Sequence, residues 1–195
     1  MIIGIDADGV LTDLAQFQME CGERYFKRKP NCENGYSIPE MFGCSKAREF
    51  LFGIKYFPYY CKEFPPREGA VETIHRLQQE GFTLYEITAR KFVTMKNPIG
   101  RYSKKMFQDW LIKNDLSFAD ITYCSEINTG EQKYRACLEK SVDIMIDDRP
   151  EVVRYLADRG VRVLMFDAPY NQEINHPNVR RVYHWKEVYG MILDS

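Results

Sequence analysis

Two pairs of aspartates carry the chemistry that this chain is equipped to do. Asp6 and Asp8 close the first apolar run in IGIDADGVLTD, and Asp147 and Asp148 close a later one that begins DIMI and continues into Arg149 and Pro150. Side chains alternate along an extended strand, so two aspartates two apart begin on the same side, and Gly9 lets the chain turn away without steric cost. An aspartate capping the next helix would explain Asp8, Asp13 or Asp148 singly. It does not explain two apolar strands that each end in two carboxylates. Ligands of open parallel sheets bind beyond the carboxyl ends of strands. Carboxylates gathered at that edge repel one another unless a hard cation sits among them. Magnesium suits the position, because it takes oxygen ligands, keeps waters and works with one or two carboxylates plus a substrate phosphate.

Anion-binding groups fall at the same edge. Thr88 follows the strand TLYEI and offers a hydroxyl, with the backbone N–H groups around Ala89 beside it. Residues 89 to 105 then hold six Arg or Lys and no acid. Such a run is usually a solvated face, but here it leaves a strand end that points into the crevice. Lys133 precedes the Asp147 strand and completes the set.

The elements that position these residues alternate in kind. Short β-branched or aromatic runs at Ile2–Ile5, Phe82–Ile87, Ile121–Tyr123, Asp143–Ile146 and Val161–Phe166 read as buried strands. Helical spacing is expected over Gly69–Glu80, with Gly81 as the stop, and over Arg101–Lys113. Two further helices are expected, one capped by Thr129 and running to Leu138, the other opening on Pro150 and running to Asp158. Strand–helix alternation predicts an α/β fold, a mostly parallel sheet with helices on both faces. The segment 14–64 breaks the rhythm, with helices expected over Ala15–Arg28 and parts of Ser45–Glu63 and a return linker at Pro65-Pro66. The expected organisation is a core of residues 1–13 and 65–195 with 14–64 as a helical insert. The insert holds 12 of the 25 Phe and Tyr residues, which serve either as its own small core or, for a minority, as a stacking surface for substrate.

Composition excludes several classes. With 45% hydrophobic and 28% charged residues the chain reads as a globular protein, not a disordered one. A formal net charge of −1 gives no global pull toward nucleic acid or anionic lipid, so neither is an expected partner. No signal-peptide pattern opens the sequence and no stretch approaches the ~20 apolar residues of a membrane span. The six cysteines include no Cys-x-x-Cys pair and are expected to be reduced thiols, consistent with a cytoplasmic location. The oligomeric state is left open.

The DxDGxLTD opening, the Thr88 strand end, a lysine ahead of an apolar strand and the closing IDD together resemble the ordered motifs of the haloacid dehalogenase-like superfamily. IDDRPE, NPIGRYSKKMFQDWL and the late HWKEVYGMILDS resemble, over nearly the whole chain, the 5'-deoxyribonucleotidases and their bacterial relatives. That resemblance implies a Rossmann-like sheet carrying a helical cap after the first motif, where the odd segment lies. It implies Asp6 as a nucleophile forming an aspartyl-phosphate and Asp8 as general acid and base. Mg2+ would sit on Asp6, the Asp8 carbonyl and Asp148, with Asp147 behind them. Thr88, Ala89 and Lys133 would hold phosphate, with Arg149 and Arg101 as further phosphate contacts. One departure stands out: animal deoxyribonucleotidases carry Thr-Ser-Pro where this chain has Thr88-Ala89-Arg90, so a serine hydroxyl is missing and a charge is added. The expected substrate is a small phosphate ester, a nucleoside monophosphate first and a sugar phosphate second. A non-catalytic phosphate-binding module would be expected to have lost Asp6 or Asp8, and both are present.

Overall fold

The computed structural model describes residues 1–90 and 92–194. Six strands, β1 (Ile2–Ile5), β2 (Thr83–Thr88), β3 (Asp120–Tyr123), β4 (Ile144–Asp147), β5 (Arg162–Phe166) and β6 (Val179–Val182), form one sheet in the order β3-β2-β1-β4-β5-β6. Every pairing is parallel. The chain winds outward from β1 in one direction through β2 and β3, then returns to β4 and winds in the other. The order therefore reverses between β1 and β4, and a crevice opens there at the carboxyl ends of the strands.

Period-two alternation splits the strands between two cores. Ile3, Ile5, Leu84, Ile144, Ile146, Leu164 and Phe166 face α4 (Ala70–Gln79), α5 (Pro98–Lys113) and α8 (Trp185–Leu193). Ile87, Met145, Val163 and Met165 face α6 (Thr129–Glu139) and α7 (Pro150–Ala157). Gly81 adopts φ +84° one residue beyond the cap of α4, the left-handed stop its sequence position suggested. The start of α6 differs from expectation. Asn128, not Thr129, is the cap residue, in the left-handed region with no side-chain capping bond. Thr129 instead donates its hydroxyl back to the Ser125 carbonyl at 3.1 Å.

Between β1 and β2 the chain inserts α1 (Leu14–Phe26), α2 (Ile38–Phe42) and α3 (Lys46–Lys62). These helices bury a third core of Phe17, Cys21, Ile38, Met41, Phe42, Phe52, Tyr56, Tyr60, Cys61 and Phe64. Gly22 sits mid-helix because any Cβ there would overlap the Phe42 ring. Two indoles brace the chain on either side of the insert. Trp185 donates to the Val10 carbonyl at 3.3 Å, and Trp110 to the Phe64 carbonyl at 2.8 Å, close to where the chain leaves and rejoins the sheet layer. Arg67 adds an ion pair to Asp13 at 2.8 Å and a hydrogen bond from its Nε to the Gly9 carbonyl at 3.1 Å. All six cysteines are free, and four of them are buried. Among the described residues no helix is long and apolar enough to cross a membrane.

Candidate active site

β1 delivers Asp6 beside β4, because the Asp6 N–H continues the ladder onto the Ile146 carbonyl at 3.0 Å. Asp147 and Asp148 follow immediately on β4. One oxygen from each of Asp6, Asp147 and Asp148 lies within 4.8 Å of the others, and all three residues are buried. Beyond Asp6 the chain folds into a tight turn in which the Ala7 carbonyl accepts from the N–H groups of Leu11 (2.9 Å) and Thr12 (3.1 Å). Gly9, at φ +85°, lies against the Asp148 carboxylate, and a Cβ there would overlap it. A side chain at this position would push the two acidic strand ends apart.

Lys133 reaches this cluster from α6. Its Nζ donates to Asp147 Oδ2 at 2.7 Å and lies 2.9 Å from Asp6 Oδ1. Burial opposes its charge, but Asp147 and Asp6 outweigh burial and hold the ammonium above its ordinary range. Asp148 is braced from the loop after β5: Tyr170 donates its hydroxyl to Asp148 Oδ2, and Asn171 donates to the Asp148 carbonyl at 2.9 Å. Thr88 is fully buried at the end of β2, and its hydroxyl has no partner among the described residues. Arg149 donates its N–H to Asp147 Oδ1 at 3.0 Å, and its guanidinium pairs with Glu151.

The electrostatics call for a cation. Burial pushes the Asp6 carboxyl up to about 7 against the pull of Lys133, with Asp147 and Asp8 adding to the rise. Burial, then Asp147 and Asp6, raise Asp148 as well. Among the described residues, the three buried carboxylates of Asp6, Asp147 and Asp148 are gathered around one buried ammonium, that of Lys133. An all-oxygen donor set of hard carboxylates fits Mg2+.

Above the carboxylates lies a cavity of about 320 Å³. Asp8, Ala89 and Arg149 line its floor, and Leu14, Phe17, Tyr36, Ile38, Phe52 and Phe57 from the insert form its walls. The structure thus brings Asp6, Asp147, Asp148 and Lys133 into one cluster, with Asp8, Ala89 and Arg149 on the adjoining cavity floor. It does not bring Arg101 there; that residue is exposed on the first turn of α5 and is not among the cavity walls. Three contributors escaped the sequence reading. Tyr170 and Asn171 follow a strand that ends at the same sheet edge, so the rule that pointed to Asp6 and Thr88 would have found them. Tyr60, which donates to Asp8 Oδ1 at 2.9 Å, lies in the aromatic stretch of α3 and carries no local signal.

The strand order, two acidic strand ends at its switch point and a buried lysine between them define a haloacid dehalogenase-like phosphohydrolase. The chain belongs to the family described as 5' nucleotidase, deoxy (pyrimidine), cytosolic type C, which it matches over residues 1–195. It is 26% identical to a Bacillus cereus protein provisionally named a nucleotidase, with 98% of each chain covered. It is 25% identical to a Chlorobaculum tepidum protein provisionally named a 5'(3')-deoxyribonucleotidase, covering 98% of this chain and 90% of that one. In fold it is similar to a D,D-heptose 1.7-bisphosphate phosphatase of B. bronchiseptica crystallised with magnesium and phosphate. That match has a TM-score of 0.60 and 13% identity, and covers 100% and 98% of the two chains. A predicted phosphoglycolate phosphatase of Haemophilus somnus gives a TM-score of 0.65 at 14% identity, over 98% and 97%.

Proposed function

We propose that this chain is a magnesium-dependent phosphatase that hydrolyses nucleoside 5'-monophosphates, ribo or deoxy, through an aspartyl-phosphate on Asp6. One observation carries the reading. Asp8 adjoins the buried cluster of Asp6, Asp147, Asp148 and Lys133 and also lines a cavity whose walls are mainly aromatic and aliphatic. The cluster suits a phosphate and its metal. A cavity of this size, with aromatic walls and a few polar side chains, suits a nucleoside, whose base can stack on the rings.

The chemistry is a double displacement. Asp6 attacks phosphorus, the bond to the ester oxygen breaks, and Asp8 gives that oxygen a proton as its electron pair arrives. Asp8 then takes a proton from water as it attacks the aspartyl-phosphate, which frees Asp6 and inorganic phosphate. The unpartnered Thr88 hydroxyl, the Ala89 N–H and Lys133 would bear on the non-bridging oxygens, where charge is spread in the transition state. Held by Asp6, the Asp8 carbonyl and Asp148, with Asp147 behind, magnesium would supply Lewis-acid charge to the phosphoryl oxygens.

The test is phosphate release from ribo- and deoxyribonucleoside monophosphates, sugar phosphates and p-nitrophenyl phosphate, with chelator and with added Mg2+. Nucleotides should give the highest kcat/KM, and turnover should vanish with chelator and return with magnesium. A sugar phosphate at the top of the series would refute the substrate, and full turnover in excess chelator would refute the site.

A further inference from the structure

Arg90 is among the largest fully buried side chains of the molecule, at 2% exposed, and it sits at the departure from the Thr-Ser-Pro pattern. Burying a guanidinium costs several kcal/mol unless its partners are well placed. Its chief partner is Asp8. Arg90 Nε donates to Asp8 Oδ1 at 2.8 Å, and its NH2 lies 2.6 Å from the same oxygen. Tyr60 adds its hydroxyl to Oδ1 at 2.9 Å. The same hydroxyl lies 2.6 Å from the Thr12 hydroxyl, which itself donates to the Ala7 carbonyl at 3.3 Å. The guanidinium is wedged between the Tyr60 ring, 5.0 Å from its centroid, and the Phe107 ring at 4.6 Å.

Two hydrogen bonds, from Arg90 Nε and the Tyr60 hydroxyl, and the ion-pair contact of Arg90 NH2 thus converge on one oxygen of the carboxylate. Asp8 lines the cavity with its side chain 23% exposed, so Oδ2 is the oxygen presented to a substrate. We propose that Arg90, together with Tyr60, is a positioning residue that grips Asp8 by Oδ1 and so aims Oδ2 at the departing ester oxygen. The inference rests on the reading of Asp8 as the acid. Arg90 Nε is the nitrogen committed to Asp8 by a hydrogen bond, while NH1 and NH2 have no hydrogen-bond partner among the described residues. The planar fork and the ring sandwich also explain why lysine would be a poor substitute.

The experiment compares kcat/KM for phenyl phosphate and p-nitrophenyl phosphate, two esters of similar shape. Phenolate leaves poorly without a proton and p-nitrophenolate leaves well without one. Since kcat/KM reads only through the first irreversible step, breakdown of the aspartyl-phosphate does not enter. Arg90→Lys should lower the phenyl to p-nitrophenyl ratio about ten-fold, as a misaimed general acid would, and Tyr60→Phe should lower it by a smaller factor. In an Asp8→Asn background the Arg90→Lys change should leave the ratio where Asp8→Asn put it. Equal losses on both esters, or a ratio effect that persists undiminished in Asp8→Asn, would overturn the proposal. Asp8→Asn lowering the ratio while Arg90→Lys and Tyr60→Phe leave it alone would overturn the clamp and spare the acid. An unchanged ratio in Asp8→Asn would overturn the acid and the clamp with it. Should Arg90→Lys fail to fold, as judged by its melting temperature, the Tyr60→Phe ratio decides.

Discussion

Along the sheet, each candidate site residue takes its place from strand register, whereas in the insert, placement comes from helices packed on one another and on α5. Asp6, Thr88, Asp147 and Asp148 lie at or one residue past a strand end, fixed by pairings such as Ile5 with Ile146 and with Glu86. They are 0 to 6% exposed. The insert buries its own aromatics against one another but leaves Phe50, Leu51 and Ile54 of α3 more than half exposed. It reaches Asp8 through the Tyr60 hydroxyl. Rigid register suits chemistry that is the same for every substrate. A helical insert beside the cavity suits a surface that selects among them.

The largest effect expected from that division is on Asp6. Asp6→Asn keeps the shape of the strand end but removes the carboxylate proposed as nucleophile, so turnover should fall by at least about a thousand-fold. The loss should be the same for nucleotides and for p-nitrophenyl phosphate, because the core chemistry is blind to the leaving group. More than a few per cent of activity in a clean preparation, or a loss confined to one substrate, would break the comparison.

Within the insert, two phenylalanines separate structure from selection. Phe42 is fully buried, stacks on Phe26 with centroids 4.8 Å apart, and does not line the cavity. Phe42→Ala should cost about 3–5 kcal/mol in stability and leave substrate preference alone. Phe57 is half-buried and lines the cavity. Phe57→Ala should cost less stability but lower the nucleotide to p-nitrophenyl phosphate ratio by roughly five-fold or more, as loss of a stacked base would. Melting temperature and the two turnover numbers for each variant supply the check. If both variants lose stability and neither shifts the ratio, the insert is a lid and not a reader.

How much of this was legible in the sequence follows the same division. Buried parallel strands announce themselves as apolar runs, and a carboxylate or hydroxyl at the end of one is conspicuous, so Asp6, Asp8, Thr88, Asp147 and Asp148 stood out. β6 did not, because Val179-Arg180-Arg181-Val182 lacks period-two alternation. It is an edge strand, and Arg181 is absorbed by an ion pair to Asp167 at 2.7 Å. α2, five residues long, is too short to show a period. Arg90 read as one member of a basic run, because nothing local says that its charge points inward to Asp8. Contacts between elements distant in sequence, such as Tyr60 with Asp8, are set by packing and leave no pattern of their own.

The smallest effect concerns Glu86, the one side chain of β2 that fits neither chemistry nor core. It is fully buried, and neither carboxylate oxygen has a hydrogen-bond partner among the described residues. Burial, with Asp6 adding to it, raises its carboxyl well above the ordinary value of 4.5, so the folded protein keeps this proton to higher pH than the unfolded chain does. The unfolded chain releases that proton above its ordinary value, so the native state binds more protons. Stability from this residue is therefore greatest at acid pH and declines as pH rises toward the folded value, at up to about 1.4 kcal/mol per pH unit. Glu86→Gln preserves the shape and removes the proton. Measured with magnesium present, the stability difference between Glu86→Gln and the parent should grow in favour of the variant from pH 5 to pH 8, with little change in turnover. A difference that stays constant with pH would mean that Glu86 is ionised in the fold. Arg90 and Lys133, the two cations that oppose its shift, would then be holding it charged, and the core would have a structural ion pair where it now has an isolated acid.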